Sequence, residues 1–315
     1  MVVVSASAQA PGARRAAVTA AELHLTRRKF WNGALWGGCV LALVLVVTPV
    51  VWIVAGIVAK SVPHWHWSVL TTTSTAAGGG LANAITGTFL IVGGVAVIGG
   101  AIGIAGGIHL AEFTSEGKGG ILRGASEVLS GVPSIVMGYV GYLALVVGLH
   151  WGFSLGSALV VLSILVVPYI TKTTEVAIRN VPTAYREGAE ALGMRSGYAL
   201  RKLVLRPALP GIATGIIVAM AIALGETAPL LYTAEWSNQL PKLQLTHSPV
   251  GYLTYPVYQV VNSTLPSIQQ WAYSAALLLI VFVLLLIVIA RIVVARTQRH
   301  SPDRQQSLGR RMKEG

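Results

Sequence analysis

A chain of 315 residues is long enough for two water-soluble domains, but 54% hydrophobic and 11% charged residues, with a mean hydropathy of +0.69, leave too little polar surface to dissolve them. The composition is that of a membrane protein. A net charge of +12 would point to nucleic acid in a soluble chain, so here its meaning depends on where the charges lie.

Charged side chains are absent from 30–59, 61–111, 128–171, 207–225 and 243–290. Each stretch can hold at least one span of about 20 apolar residues, the thickness of a bilayer core. The third is twice that length, with His150, Trp151 and Gly152 at its middle, so it reads as two helices joined by a tight turn. Six spans are predicted, at 34–58, 84–108, 129–149, 154–172, 208–233 and 273–295, and no strands. With a cytoplasmic N-terminus, 21 of the 23 Lys and Arg fall in inner loops and tails, Lys60 and Lys242 excepted. That asymmetry predicts both termini in the cytoplasm.

Residues 1–31 are expected to form a disordered basic tail and 297–315 a second basic tail, with the six-helix domain at 32–296 between them. Arg27, Arg28 and Lys29, and the basic residues between positions 291 and 313, read as topology anchors beside anionic lipid, so no nucleic-acid partner is needed. The first apolar segment outruns a signal-peptide core and no cleavage site follows it, so it reads as a retained helix. Cys39, the only cysteine, lies inside that helix, which excludes disulfides and thiolate metal sites. His64, Trp65, His66 and Trp67 read as an interfacial aromatic patch, because two histidines without a third ligand make a poor metal site.

In the second span Gly99, Gly103 and Gly107 line one face at a spacing that lets two helix backbones touch, whether for fixed packing or for sliding. In the third, Pro133 beside Gly131 removes a helical hydrogen bond where Ser130 and Ser134 can offer hydroxyls. This suits either a polar path or a plain kink. The string GFSLG at 152–156 fits a serine-nucleophile pattern, but no strand precedes Ser154 and the only aspartate, Asp303, is in the C-terminal tail.

The loop at 173–207 is the longest polar one on its side. Pro182 is expected to open a helix running through Tyr185 to Leu192, Gly193 to stop it, and a second short helix to run from Tyr198 to Leu205. The pair makes a compact knob suited to a cavity in a partner, or an amphipathic segment resting on lipid headgroups. In the fifth span an ionised Glu226 costs about 2.5–3.5 kcal/mol and so should face the interior, with Pro229 kinking the helix beside it. The loop at 234–272, rich in Trp, Tyr and Pro, is expected on the outer side as a docking surface.

The text EGAEALG at 187–193, followed after nine residues by LVL at 203–205, resembles the signature of ATP-binding-cassette importer permeases, E-A-A-x-x-x-G and then I-x-L-P. Glu187, Ala189 and Gly193 match, and Leu203 and Leu205 fall in register; Gly188 replaces an Ala and Arg206 the usual Pro. LSGVPSIVMGYVGY, TKTTEVAIRNVP and GETAPLLYTA are similar to stretches of phosphate importer permeases of the PstA type.

The resemblance implies an all-α membrane protein with the type I importer permease fold and a cytoplasmic coupling helix-turn-helix. By it, Glu187, Ala189, Glu190, Gly193, Leu203 and Leu205 couple to an ATPase. Glu226, Thr227, Ser130, Ser134 and Lys172 lie on the substrate path. Glu226 would hydrogen-bond a protonated phosphate, pair with a basic group of a partner permease, or hold its own backbone. The ion pair is preferred, because a bare carboxylate repels phosphate and because the basic residue many relatives have one turn earlier is here Ile222.

The implied partners are a second permease (PstC type), an ATPase dimer (PstB type), a phosphate-binding protein (PstS type), membrane lipid and inorganic phosphate. The implied place is the inner membrane of a prokaryote. No phosphate-binding G-x-x-x-x-G-K-[ST] loop occurs, so ATP and Mg would be bound by the ATPase partner and no cofactor by this chain. Two rivals remain: a permease for another oxyanion such as molybdate or sulfate, and an ion-coupled secondary transporter using Glu226, which would need no protruding knob.

Overall fold

A computed structural model describes residues 11–75, 78–114, 116–260 and 263–298, in two units that divide between Ala59 and Lys60. The first unit is essentially one helix, α1 (Pro11–Ser61), whose last residues belong to the second. The basic segment 11–31, expected to be disordered, is helical and continuous with the span. Its text explains this: Pro11 suits a first turn, and after Gly12 an Ala-rich run free of Gly and Pro leads to the apolar residues. Positions 1–10 of that tail, and 299–315 of the C-terminal one, lie outside the described residues.

The second unit opens with a 3₁₀ turn (Val62–His64), α2 (Ser68–Thr71), and β1 (Ser74–Thr75) paired antiparallel with β2 (Gly78–Gly79). This small ladder was not expected. It depends on Gly78 and Gly79, both at positive φ, which end strands too short to register as a pattern. There follow α3 (Ala82–Glu112), α4 (Glu116–Ser130), α5 (Ser134–Gly141) running into a π turn (Tyr142–Gly148), and α6 (Leu155–Arg179). Next come α7 (Ala184–Ala191), α8 (Ser196–Ala199), a second π turn (Leu200–Val204), α9 (Leu205–Gly225), α10 (Ala228–Thr233), α11 (Thr254–Val260) and α12 (Pro266–Gln298).

Among the described residues five helices are long and apolar enough to cross a membrane, and a sixth span forms if the bent pair Gly119–Ser130 and Ser134–Gly148 counts as one. The interruption expected at Pro133 in the span 129–149 is a sharp one: its two arms meet at 91°, because Pro133 cannot continue the helix.

The core is the contact of α3 with α6. A Cβ on Gly99 would meet Val166 at 3.0 Å and one on Gly103 would meet Ile170 at 2.6 Å, so the glycine face lets α3 and α6 pack closely. Ile91, Val95, Leu162, Val166 and Ile170 are buried along this seam, and α9 closes it with Ala219 and Ala223. Ser154 is buried as the N-cap of α6, its Oγ accepting from the Ser157 amide.

Candidate functional site

After α6 ends, the chain turns away from the bundle and forms α7. The C-terminus of α7 is closed by Gly193 at φ +64, whose N–H donates to the Glu190 carbonyl at 2.9 Å while the Met194 N–H donates to Ala189 at 3.0 Å. A Cβ at position 193 would meet nothing within 4 Å, so the glycine is required for its left-handed backbone rather than for space.

The second limb differs from expectation. It is no separate short helix: α8 passes through the π turn into α9, giving one 30-residue helix, Ser196–Gly225. Pro207 has no N–H to offer Leu203, and the widened turn just before it absorbs that mismatch.

On this protrusion Glu187, Glu190 and Gly193 are exposed, as is Leu192 at 80%, whereas Ala189 is buried and Leu203 and Leu205 are half-buried. Val204 anchors the second limb in a cluster with Ile178, Val181, Ala208 and Ile212. Arg186, not singled out from the sequence, holds the first limb. Its Nη2 donates to Glu112 Oε1 at 2.6 Å and to the Ile178 carbonyl at 3.3 Å, and its Nη1 to the Val181 carbonyl at 3.1 Å.

The expected fifth span at 208–233 is broken at Glu226 and Thr227. Glu226 is extended (φ −71, ψ 134), and α10 starts anew at Ala228 because Pro229 fits a first turn but not a helix interior. The Glu226 carbonyl, freed from the helix, accepts from Thr254 Oγ1 at 2.9 Å, and the Ser134 hydroxyl interacts with the Glu226 side chain. A Cβ on Gly138 would lie 2.7 Å from Pro229 Cα, so the two interrupted helices, α5 and α10, touch beside this carboxylate.

Ser130 and Lys172 meet elsewhere, in a cavity of about 190 Å³ that is also lined by Arg123, Ser126, Glu127 and Glu175. The residues expected on a substrate path thus fall into two groups, Ser134, Glu226 and Thr227 at the helix break and Ser130 with Lys172 in the cavity, on the two sides of the Pro133 bend. Lys172 stands 3.7 Å from Glu127, both side chains largely exposed.

The buried centre of the cavity wall is Glu175, 8% exposed, accepting from Arg123 Nε at 2.7 Å and from Arg179 Nη2 at 3.1 Å. The Arg179 partner is visible in the sequence as an i,i+4 pair; Arg123, 52 residues away, is not. Two cations, Arg123 and Lys172, and two carboxylates, Glu127 and Glu175, line the cavity, and Arg179 pairs with Glu175 beside it.

Residues 103–299 match the family described as binding-protein-dependent transport system inner membrane component. The phosphate transport system permease protein PstA 2 of Mycobacterium bovis is 56% identical over 85% of this chain and 89% of its own length. PstA of Yersinia pestis is 35% identical over 78% and 84%. A chain from inward-facing conformations of the MetNI methionine ABC transporter superposes at a TM-score of 0.57 with 18% identity, over 69% of this chain and 95% of that one. The chain belongs to the family of binding-protein-dependent transport system inner membrane components. It is a multi-pass membrane protein with the all-α permease fold of such importers and, as a permease component, not an enzyme.

Proposed function

We propose that the chain is one of two permease subunits of an ATP-driven importer of inorganic phosphate, in the inner membrane of a prokaryote with both termini cytoplasmic. The likeness to phosphate permeases supports the substrate, and the distribution of Lys and Arg supports the orientation. The observation that carries the coupling reading is the turn at Gly193, which leaves Glu187, Glu190 and Leu192 exposed at the tip of an otherwise packed bundle. An ATPase dimer that binds ATP and Mg grips this tip, and an extracytoplasmic phosphate-binding protein delivers substrate on the opposite side.

The transport step is alternating access. Closure of the ATPases moves the protrusion, and the bundle opens outward; hydrolysis resets it. Phosphate passes the helix break, where the Ser134 hydroxyl and Thr227 offer hydrogen bonds and the Glu226 carboxylate pairs with a basic group of the second permease. It then reaches the cavity of Ser130 and Lys172. There Lys172 attracts it as a point charge, held from closing the path by its loose pairing with Glu127.

Whole-cell accumulation of radiolabelled phosphate tests this directly. With Glu226→Gln, assembly stays near wild type while uptake falls at least tenfold. Equal inhibition of wild-type uptake by unlabelled molybdate or sulfate would transfer the reading to another oxyanion. Uptake without a co-purifying ATPase would sink the coupling and favour an ion-driven carrier.

A further inference from the structure

The geometry points to Arg186 as the residue through which movement of the first limb of the protrusion reaches α3 and α6, a positioning role for transport that rests on the coupling reading above. One guanidinium joins three elements. From α7 it donates to the carboxylate of Glu112, the last residue of α3, and to the carbonyls of Ile178 and Val181 at the C-terminal end of α6. Glu112 sits at a helix C-terminus, which disfavours an acidic side chain, and the Val181 carbonyl lies just past the last turn of α6, while the Ile178 carbonyl, which already accepts from the Val181 N–H, takes Arg186 as a further donor. A planar fork with several fixed donors serves three such acceptors at once; an ammonium does so poorly.

The other attachments of the protrusion take a different route. The second limb is covalently and helically continuous with α9 and packs through Leu200, Val204 and Leu205. In α7, Ala189 turns inward, and among the described residues every side-chain hydrogen bond from α7 to α3 or α6 comes from Arg186. α3 and α6 are themselves pressed together at Gly99 and Gly103 with no room for a Cβ, so a pull delivered at their common end moves them as one body. The knob therefore has two outputs: through α9 toward the Glu226 break, and through Arg186 toward the α3–α6 pair that carries Lys172 and Glu175.

A purely structural Arg186, serving only to cap α6, predicts less assembled transporter but normal work per assembled unit. The test uses the complete transporter in proteoliposomes with its binding protein, and reads phosphate imported per ATP hydrolysed. In parallel, Leu192→Cys in a Cys39→Ser background reports by cross-linking whether α7 still meets the ATPase. For Arg186→Gln we expect the cross-link to persist while the import-to-hydrolysis ratio falls about tenfold, the worth of a charge-assisted hydrogen bond.

An unchanged ratio with the cross-link intact overturns the inference and leaves the coupling reading standing. Loss of the cross-link in Arg186→Gln alone also overturns it, because Arg186 then merely shapes α7. Absence of the cross-link in the otherwise wild-type protein overturns the coupling reading itself. Where Arg186→Gln fails to assemble, Glu112→Gln, which leaves both carbonyl bonds in place, carries the same measurement, and an unchanged ratio there overturns the inference equally.

Discussion

Two long connections leave the bundle, and they have opposite fates. The one between α6 and α9 stands out from it, polar at its tip and attached by Arg186 and a small apolar cluster. The one between α10 and α11 folds back in: Val250, Tyr252 and Leu253 are fully buried, Trp236 stacks on Tyr255 with ring centroids 4.6 Å apart, and buried Asn83 donates to the Ser237 carbonyl at 2.7 Å. Length does not separate them. The difference is what each must satisfy: the aromatic loop brings rings that need apolar neighbours and backbone groups that need partners. The polar one satisfies itself by becoming helical.

The expectation that 234–272 forms an outer docking surface is narrowed accordingly. Its exposed apolar residues are Leu240, Leu243 and Leu245 in the irregular stretch, Tyr258 on α11 and Leu265 just before α12, and the rest of its aromatic residues are wholly or partly buried.

The contrast yields predictions that differ in kind. The largest effect is on the buried loop: Tyr252→Ala removes a ring packed against Trp236 and Tyr255 and should cost about 3–5 kcal/mol, seen as a lowered melting temperature of the purified transporter. Melting at the wild-type temperature would mean the loop is not part of the core. Next comes Asn83→Ala. It strands the Ser74 amide and the Ser237 carbonyl, which Asn83 Oδ1 and Nδ2 now satisfy, at about 1–3 kcal/mol for each buried group left unpaired, again read as melting.

On the protruding side, Gly193→Ala forces a side chain into left-handed backbone for about 1–2 kcal/mol. The strain is local, so melting of the bundle should barely move while phosphate uptake falls severalfold; a large shift in melting with normal uptake would reverse the contrast. The smallest effect is expected from Tyr252→Phe. The Tyr252 hydroxyl is buried without a hydrogen-bond partner among the described residues, and burial pushes its pKa upward so that it stays neutral. Its removal should leave stability unchanged or raise it by up to about 1 kcal/mol, and a clear loss would reveal an acceptor for that proton.

The spans were legible because the bilayer imposes a length on uncharged text, and the Gly193 turn because only glycine closes a helix that way at no steric cost. The glycine face of α3 was legible as contact, and the structure supplies its partner, α6. The 91° bend and the break at Glu226 were only half legible: Pro133 and Pro229 announce an interruption, but which way the chain leaves it is set by the neighbours that accept it, Gly138 against Pro229 and Thr254 on the Glu226 carbonyl. Least legible were the ion pairs. Arg123 with Glu175 and Arg186 with Glu112 join positions 52 and 74 residues apart, and no periodicity within a helix predicts a partner on another one.

The uninterrupted helix from Ser196 to Gly225 has a mechanical corollary. Thirty residues make a continuous helical lever about 45 Å long, with its base in the knob and its far end one peptide bond from Glu226. A tilt of only about 5° at the base would sweep that far end sideways by about 4 Å, more than the length of a hydrogen bond. The contacts of Glu226 with Thr254 and Ser134 would then be made or unmade from the far end of this helix without its having to unwind.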